Sequence, residues 1–72
     1  MKNFSIEITD TFGGEANYCW VKRFTVKALS KRGAIIKAKR EGGWRGYKHR
    51  TLDYGDMTRL DLKGACVVIF IE

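Results

Sequence analysis

Phe4, Ile6 and Ile8 alternate with Ser5, Glu7 and Thr9 near the start of the chain. A period of two puts one set of side chains on a core and the other in water, so this stretch is expected to be a half-buried strand. The alternation resumes beyond Asn17. Tyr18, Trp20, Phe24, Val26 and Ala28 fall on one face, and Cys19, Val21, Arg23, Thr25 and Lys27 on the other. Only Lys22 breaks the apolar row, and its long aliphatic stem can reach water from a strand edge. Between the two runs Gly13-Gly14 supplies positive φ angles, and Asp10 and Asn17 supply side-chain turn bonds. The pattern predicts a hairpin whose second strand is about ten residues long and bent.

The period then changes. Ser30 is a good N-cap, and Ala34, Ile35 and Ala38 form a narrow apolar stripe, which predicts a helix from about Lys31 to Glu41 lying on the sheet. Gly42-Gly43 stops it. Trp44 to Arg50 is read as a loop. Leu52, Tyr54, Leu60 and Leu62 outline a third strand from about Leu52 to Leu62, with Gly55 as a bulge. Lys63-Gly64 reads as a tight turn. Ala65 to Ile71 is apolar on both faces and is placed inside the sheet, beside the first strand.

The fold class expected is α+β in the order β-β-α-β-β, a single helix packed on a four-stranded, mostly antiparallel sheet. With 72 residues there is room for one domain, 1–72, and for one core. A chain this short buries only about 60% of its unfolded surface, so a structural role as a homodimer stays open.

Charge changes the picture more than composition does. The 14 Lys+Arg against 8 Asp+Glu give a formal charge of +6. Between Lys31 and Arg50 stand eight basic residues against one acid, Glu41, so the remainder of the chain is close to neutral. Such a block favours polyanionic partners, although basic runs are often only solvated faces. Lys31 and Arg32 occupy the first helical turn, where the dipole disfavours cations by about 0.3–1 kcal/mol each. Ile36 points away from the apolar stripe, between Arg32 and Arg40 at i±4 spacing, and is a candidate partner contact. Trp44, Arg45, Tyr47, Lys48 and Arg50 interleave rings with cations, the composition with which single-stranded nucleic acid is bound. The candidate nucleic-acid-binding set is Arg32, Lys37, Arg40, Trp44, Arg45, Tyr47, Lys48 and Arg50. A competing reading folds Trp44 and Tyr47 back as a lid on the helix end. The helix N-terminus at Ser30 to Gly33 is a further candidate for one phosphate, against close packing of Gly33 on the second strand.

Other chemistry finds little support. The one histidine, His49, lies among cations, and no nucleophile stands at a motif spacing, so no catalytic residues are expected. His49 with Asp53 and Asp56 is a poor metal set, and no metal or cofactor is expected. Cys19 and Cys66, 47 residues apart, match no zinc or redox spacing. They are expected as free thiols, with a disulfide between two strands as the alternative. No targeting segment is read at the start, and the apolar run Ala65–Ile71 is too short to span a bilayer, which points to a cytoplasmic protein without a membrane partner.

Ile8-Thr9-Asp10-Thr11-Phe12-Gly13-Gly14-Glu15-Ala16-Asn17-Tyr18-Cys19-Trp20-Val21, followed by Tyr54-Gly55-Asp56-Met57, resembles a group of small proteins encoded by bacteriophages and prophages. The likeness extends over most of the chain. It carries no site residues and no activity. It implies a short accessory protein acting in a bacterial host, of a kind that commonly binds a host complex, including CRISPR and other defence machinery. The expected function is therefore non-enzymatic: binding of nucleic acid or a host nucleoprotein complex through the basic helix and the aromatic loop. The alternative is a protein-binding inhibitor of a host factor or defence system.

Overall fold

The computed structural model describes residues Met1–Glu72. The elements run β1 (Lys2–Phe12), β2 (Glu15–Ala28), α1 (Lys31–Gly42), β3 (His49–Asp53), β4 (Thr58–Leu62) and β5 (Val67–Ile71). They form one helix and a five-stranded sheet in the order β2-β1-β5-β4-β3, with every neighbouring pair antiparallel. The sheet has five strands rather than four because Leu52–Leu62 is two strands. Asp53 Oδ1 accepts the Gly55 N–H at 2.9 Å, Tyr54 N–H donates to the Met57 carbonyl at 2.8 Å, and Gly55 sits at φ +90°. Gly55 thus reverses the chain instead of bulging it.

The last strand lies in the interior of the sheet and beside the first, as its two apolar faces require. β5 pairs Ile6–Asp10 of β1 on one side and Thr58–Asp61 of β4 on the other. Ile69 and Val68 point to opposite faces, and both are fully buried.

The helix covers one of those faces. Ser30 caps it by accepting the Gly33 N–H, and Gly43 closes it in the left-handed conformation (φ +89°). The Trp44 N–H reaches the Lys39 carbonyl and the Gly43 N–H the Arg40 carbonyl, a Schellman pair that satisfies the last turn. Ala34 and Ala38 are fully buried against Ile6, Ile8, Val26, Ala28, Leu60 and Ile69. Small residues bring the helix close: a Cβ on Gly33 would sit 3.4 Å from the Ala28 Cβ, and one on Gly42 would run into Ile8 Cδ1.

The other face is covered by the hairpin itself. Pairing steps from Thr9–Val21 to Thr11–Ala16, so Asp10 alone opposes the four residues Asn17 to Trp20. Extra residues on one strand sharpen its bend. The Arg59 Nη2 donates to the Gly14 carbonyl at 2.8 Å, although Arg59 lies level with Phe70 and Glu7 in the sheet register. A straight hairpin would carry Gly14 about 23 Å beyond Glu7, so its end must fold back over the sheet.

Asp10 and Thr9 hold the bend. Asp10 accepts the Asn17 amide and the Cys19 N–H, both at 2.9 Å, and the Asn17 bond is the first cause holding its carboxyl below the usual aspartate range. Thr9 Oγ1 accepts the Tyr18 N–H at 3.1 Å and donates to the Trp20 carbonyl at 2.9 Å. Tyr18 is fixed at φ +57°, a conformation that costs a non-glycine residue about 1–2 kcal/mol. The expected alternation of β2 fails here. Tyr18 leaves the Val26 face and lines a groove of about 560 Å³ with Glu7, Arg23, Thr25 and Phe70 on the helix-free side.

Candidate nucleic-acid interface

The sequence places cations along α1 and the segment after it, and the fold sorts them by face. Arg32, Ile36 and Arg40 follow one another at i+4 along the outer side of the helix, all exposed. Neither arginine has a carboxylate partner. Ile36 is 58% exposed, so neither sheet nor loop curls over it. Lys31, by contrast, reaches Asp53 at 3.2 Å and the Gly55 carbonyl, which ties the first helical turn to the β3–β4 turn. The Gly55 N–H and then the Lys31 ammonium hold Asp53 below the usual carboxylate range. Lys37 donates to the Lys27 carbonyl and anchors the helix to β2.

Beyond the helix, Trp44 to Tyr47 is a turn closed by the Tyr47 N–H on the Trp44 carbonyl. The Trp44 ring is half-buried against the core, and Tyr47 meets it edge-on with centroids 5.2 Å apart and planes at 74°. Trp44 therefore is the lid on the helix end, and Tyr47, 40% exposed, is the more open of the two rings. Arg45 and Lys48 are exposed and have no ion pair.

Arg50 departs from the set. It belongs to β3, which begins at His49 rather than after Arg50, and strand alternation sends its side chain to the helix-free face. There it pairs with Asp61 at 3.3 Å, beside Arg59, which holds the same carboxylate at 2.8 Å and lies 5.9 Å over Phe70. The basic helix face and Arg50 do not form one surface.

A residue the sequence reading gave only a turn role joins the site instead. The Lys63 N–H donates to the Lys48 carbonyl at 2.7 Å, clipping the β4–β5 connection to the Trp44–Lys48 loop. A shallow recess of about 500 Å³ results, lined by Arg45, Gly46, Tyr47, Lys48, Lys63 and Gly64. Three of these six are cations and none is an acid. The signal available in sequence was a lysine in a glycine turn, and only the pairing of β4 with β3 brings it to the loop.

His49 is half-buried beside Lys39. Its Nδ1 is 3.1 Å from the Lys39 ammonium, which also donates to the Tyr47 carbonyl. Burial first, and the Lys39 charge second, push the imidazole below the ordinary histidine pKa. With Lys39 donating, Nδ1 is the acceptor and the proton sits on Nε2. His49 and Asp53 stand at opposite ends of β3, each turned to a lysine, and no three His, Cys, Asp or Glu side chains gather in a metal-holding group. Cys19 and Cys66 are exposed free thiols, so the alternative disulfide is not formed. No helix is long and apolar enough to cross a membrane. Comparison with family models, characterised proteins and solved structures yields no match to this chain.

Proposed function

We propose that the protein binds single-stranded nucleic acid, free or within a host nucleoprotein complex, without catalysing a reaction on it. The carbonyl-clipped recess of Arg45, Lys48 and Lys63, with Tyr47 and no carboxylate in its lining, supports this reading above all else. Arg32 and Arg40 extend the unneutralised charge along the helix. On this reading those five cations meet phosphates and Tyr47 stacks on a base, while Trp44 holds Tyr47 in place and Lys31, Lys37 and Arg50 keep structural partners.

Neutralising about five phosphates of a single strand gives a salt slope near −3.5, so raising salt from 50 to 200 mM should weaken binding about 100-fold. Anisotropy of a labelled twenty-residue oligothymidylate measures this directly. An affinity indifferent to salt refutes the proposal. Tyr47→Ala should weaken binding further, because stacking contributes about 1–3 kcal/mol per base.

Ile36 favours a second reading. A branched apolar side chain framed by Arg32 and Arg40 has no use for phosphates, and it suits a hot spot on an acidic protein groove. In that case the protein acts as an inhibitor docking on a host or defence factor, in line with its phage-type resemblance. Binding that survives nuclease treatment of the partner and is lost in Ile36→Asp supports this second reading against the first.

A further inference from the structure

The recess beside the helix end concentrates more donors than one internal phosphate can use. Arg45, Lys48 and Lys63 bring three cations to a single concavity with no protein acid in its lining. The backbone N–H groups of Gly46, Lys48 and Gly64 donate to no protein acceptor, although all three residues line the same recess. Gly46 and Gly64 hold φ +90° and +83°, conformations that favour glycine, and no atom beyond the adjoining residues lies within 4 Å of where a Cβ would stand on either. The backbone is thus open to close approach by a ligand.

Charge and oxygen counts then separate two kinds of phosphate. A phosphodiester inside a strand carries one negative charge and two free oxygens. A phosphomonoester carries about −1.5 to −2 at pH 7 and three acceptor oxygens. Three converging cations repel one another, and a doubly charged group offsets that repulsion where a singly charged one leaves it largely in place. Three cations with three free amides match three oxygens.

Resting on the nucleic-acid reading above, we infer that this recess takes the terminal phosphate of a single strand, with Tyr47 against the end nucleotide. Arg32 and Arg40 then meet internal phosphates along the helix, outside the recess.

The test uses one twelve-residue oligonucleotide with an internal fluorophore in three forms: 5′-phosphorylated, 3′-phosphorylated, and hydroxyl at both ends. At 100 mM salt one phosphorylated form should bind at least tenfold tighter than the hydroxyl form. The double variant K48Q/K63Q should weaken all three forms and erase that preference, leaving one common affinity, and a preference that survives it overturns the inference. Neither lysine side chain has a hydrogen-bond partner in the fold, so the variant is expected to remain folded.

Equal, measurable binding of all three forms overturns the terminal-phosphate inference and leaves the nucleic-acid reading standing. No binding of any form at 50 mM salt overturns both. Displacement of the phosphorylated strand by a phosphoserine peptide at equal concentration assigns the recess to phosphomonoesters on protein and overturns the nucleic-acid source.

Discussion

Thr9 and Thr58 are both fully buried, yet their hydroxyls are in opposite situations. Thr9 Oγ1 bonds the Tyr18 N–H and the Trp20 carbonyl across the bulge, whereas Thr58 Oγ1 has no partner. Valine copies the shape of threonine and deletes only the hydroxyl, so the same substitution at the two sites isolates the hydrogen bonding. Thr9→Val removes two bonds worth about 0.5–1.5 kcal/mol each. Tyr18 and Trp20 are exposed, so water recovers part of the loss and the net cost is about 1–2 kcal/mol. Thr58→Val relieves a desolvated, unpaired hydroxyl whose burial costs about 1–3 kcal/mol, and a gain of about 1 kcal/mol is expected. In a domain of this size each kcal/mol moves Tm by about 4–8 °C. Thermal melts followed by circular dichroism should therefore shift in opposite directions, and urea unfolding should confirm the signs at unchanged m-value. Shifts of the same sign refute the reasoning. A destabilising Thr58→Val would mean that its hydroxyl is bonded, and a neutral Thr9→Val would mean that the bulge is held by Asp10 alone.

Two further outcomes follow from the packing and titration of the helix end. Gly42→Ala gains about 1 kcal/mol of helix propensity, but its Cβ meets the fully buried Ile8, where overpacking costs about 1–3 kcal/mol. Urea midpoints should show a net loss near 1 kcal/mol, and an increase would show that Ile8 moves aside freely. His49 has a folded pKa below its unfolded 6.5, so the unfolded chain binds more protons and stability is complete above about pH 6.5 and declines as pH falls below it. Asp10 and Asp53, both lowered, begin to act only near and below pH 4, which leaves the interval from pH 7 to 5 to His49. His49→Gln should flatten the stability–pH profile there, and an unchanged slope would remove His49 as its cause.

Local signals served the sequence reading well where a residue acts on its own neighbours. Ser30, Gly43 and the Ala34–Ala38 stripe fix the helix through contacts within one or two turns. The double-sided apolarity of Val67 to Ile71 placed that strand inside the sheet. The failures share a different cause. Gly55 reads equally well as bulge or turn until the Asp53 carboxylate bonds its N–H. Tyr18, Cys19 and Trp20 look like continued alternation until Thr9 and Asp10, on the other strand, collect them. At the candidate site Arg32, Ile36 and Arg40 were legible from helical spacing alone. Arg50 was not, because its face depends on strand β3 beginning one residue before it, and Lys63 was not, because its neighbour is fifteen residues away.

The asymmetry of charge is produced less by where the cations fall than by where the fold sends the acids. Glu7 takes Arg23, Asp61 takes both Arg59 and Arg50, Asp53 takes Lys31, and Asp10 is engaged by the hairpin bend. Those pairings lie on the helix-free face, at the β3–β4 turn or in the hairpin. None of these carboxylates lines the recess where loop and β4–β5 turn meet. The same allocation makes the recess dispensable to stability, because Arg45, Lys48 and Lys63 hold nothing else together with their side chains. Surface charges without partners change stability by little. Neutralising these three should therefore leave the unfolding transition in place, so that any loss of ligand binding reads the interface itself.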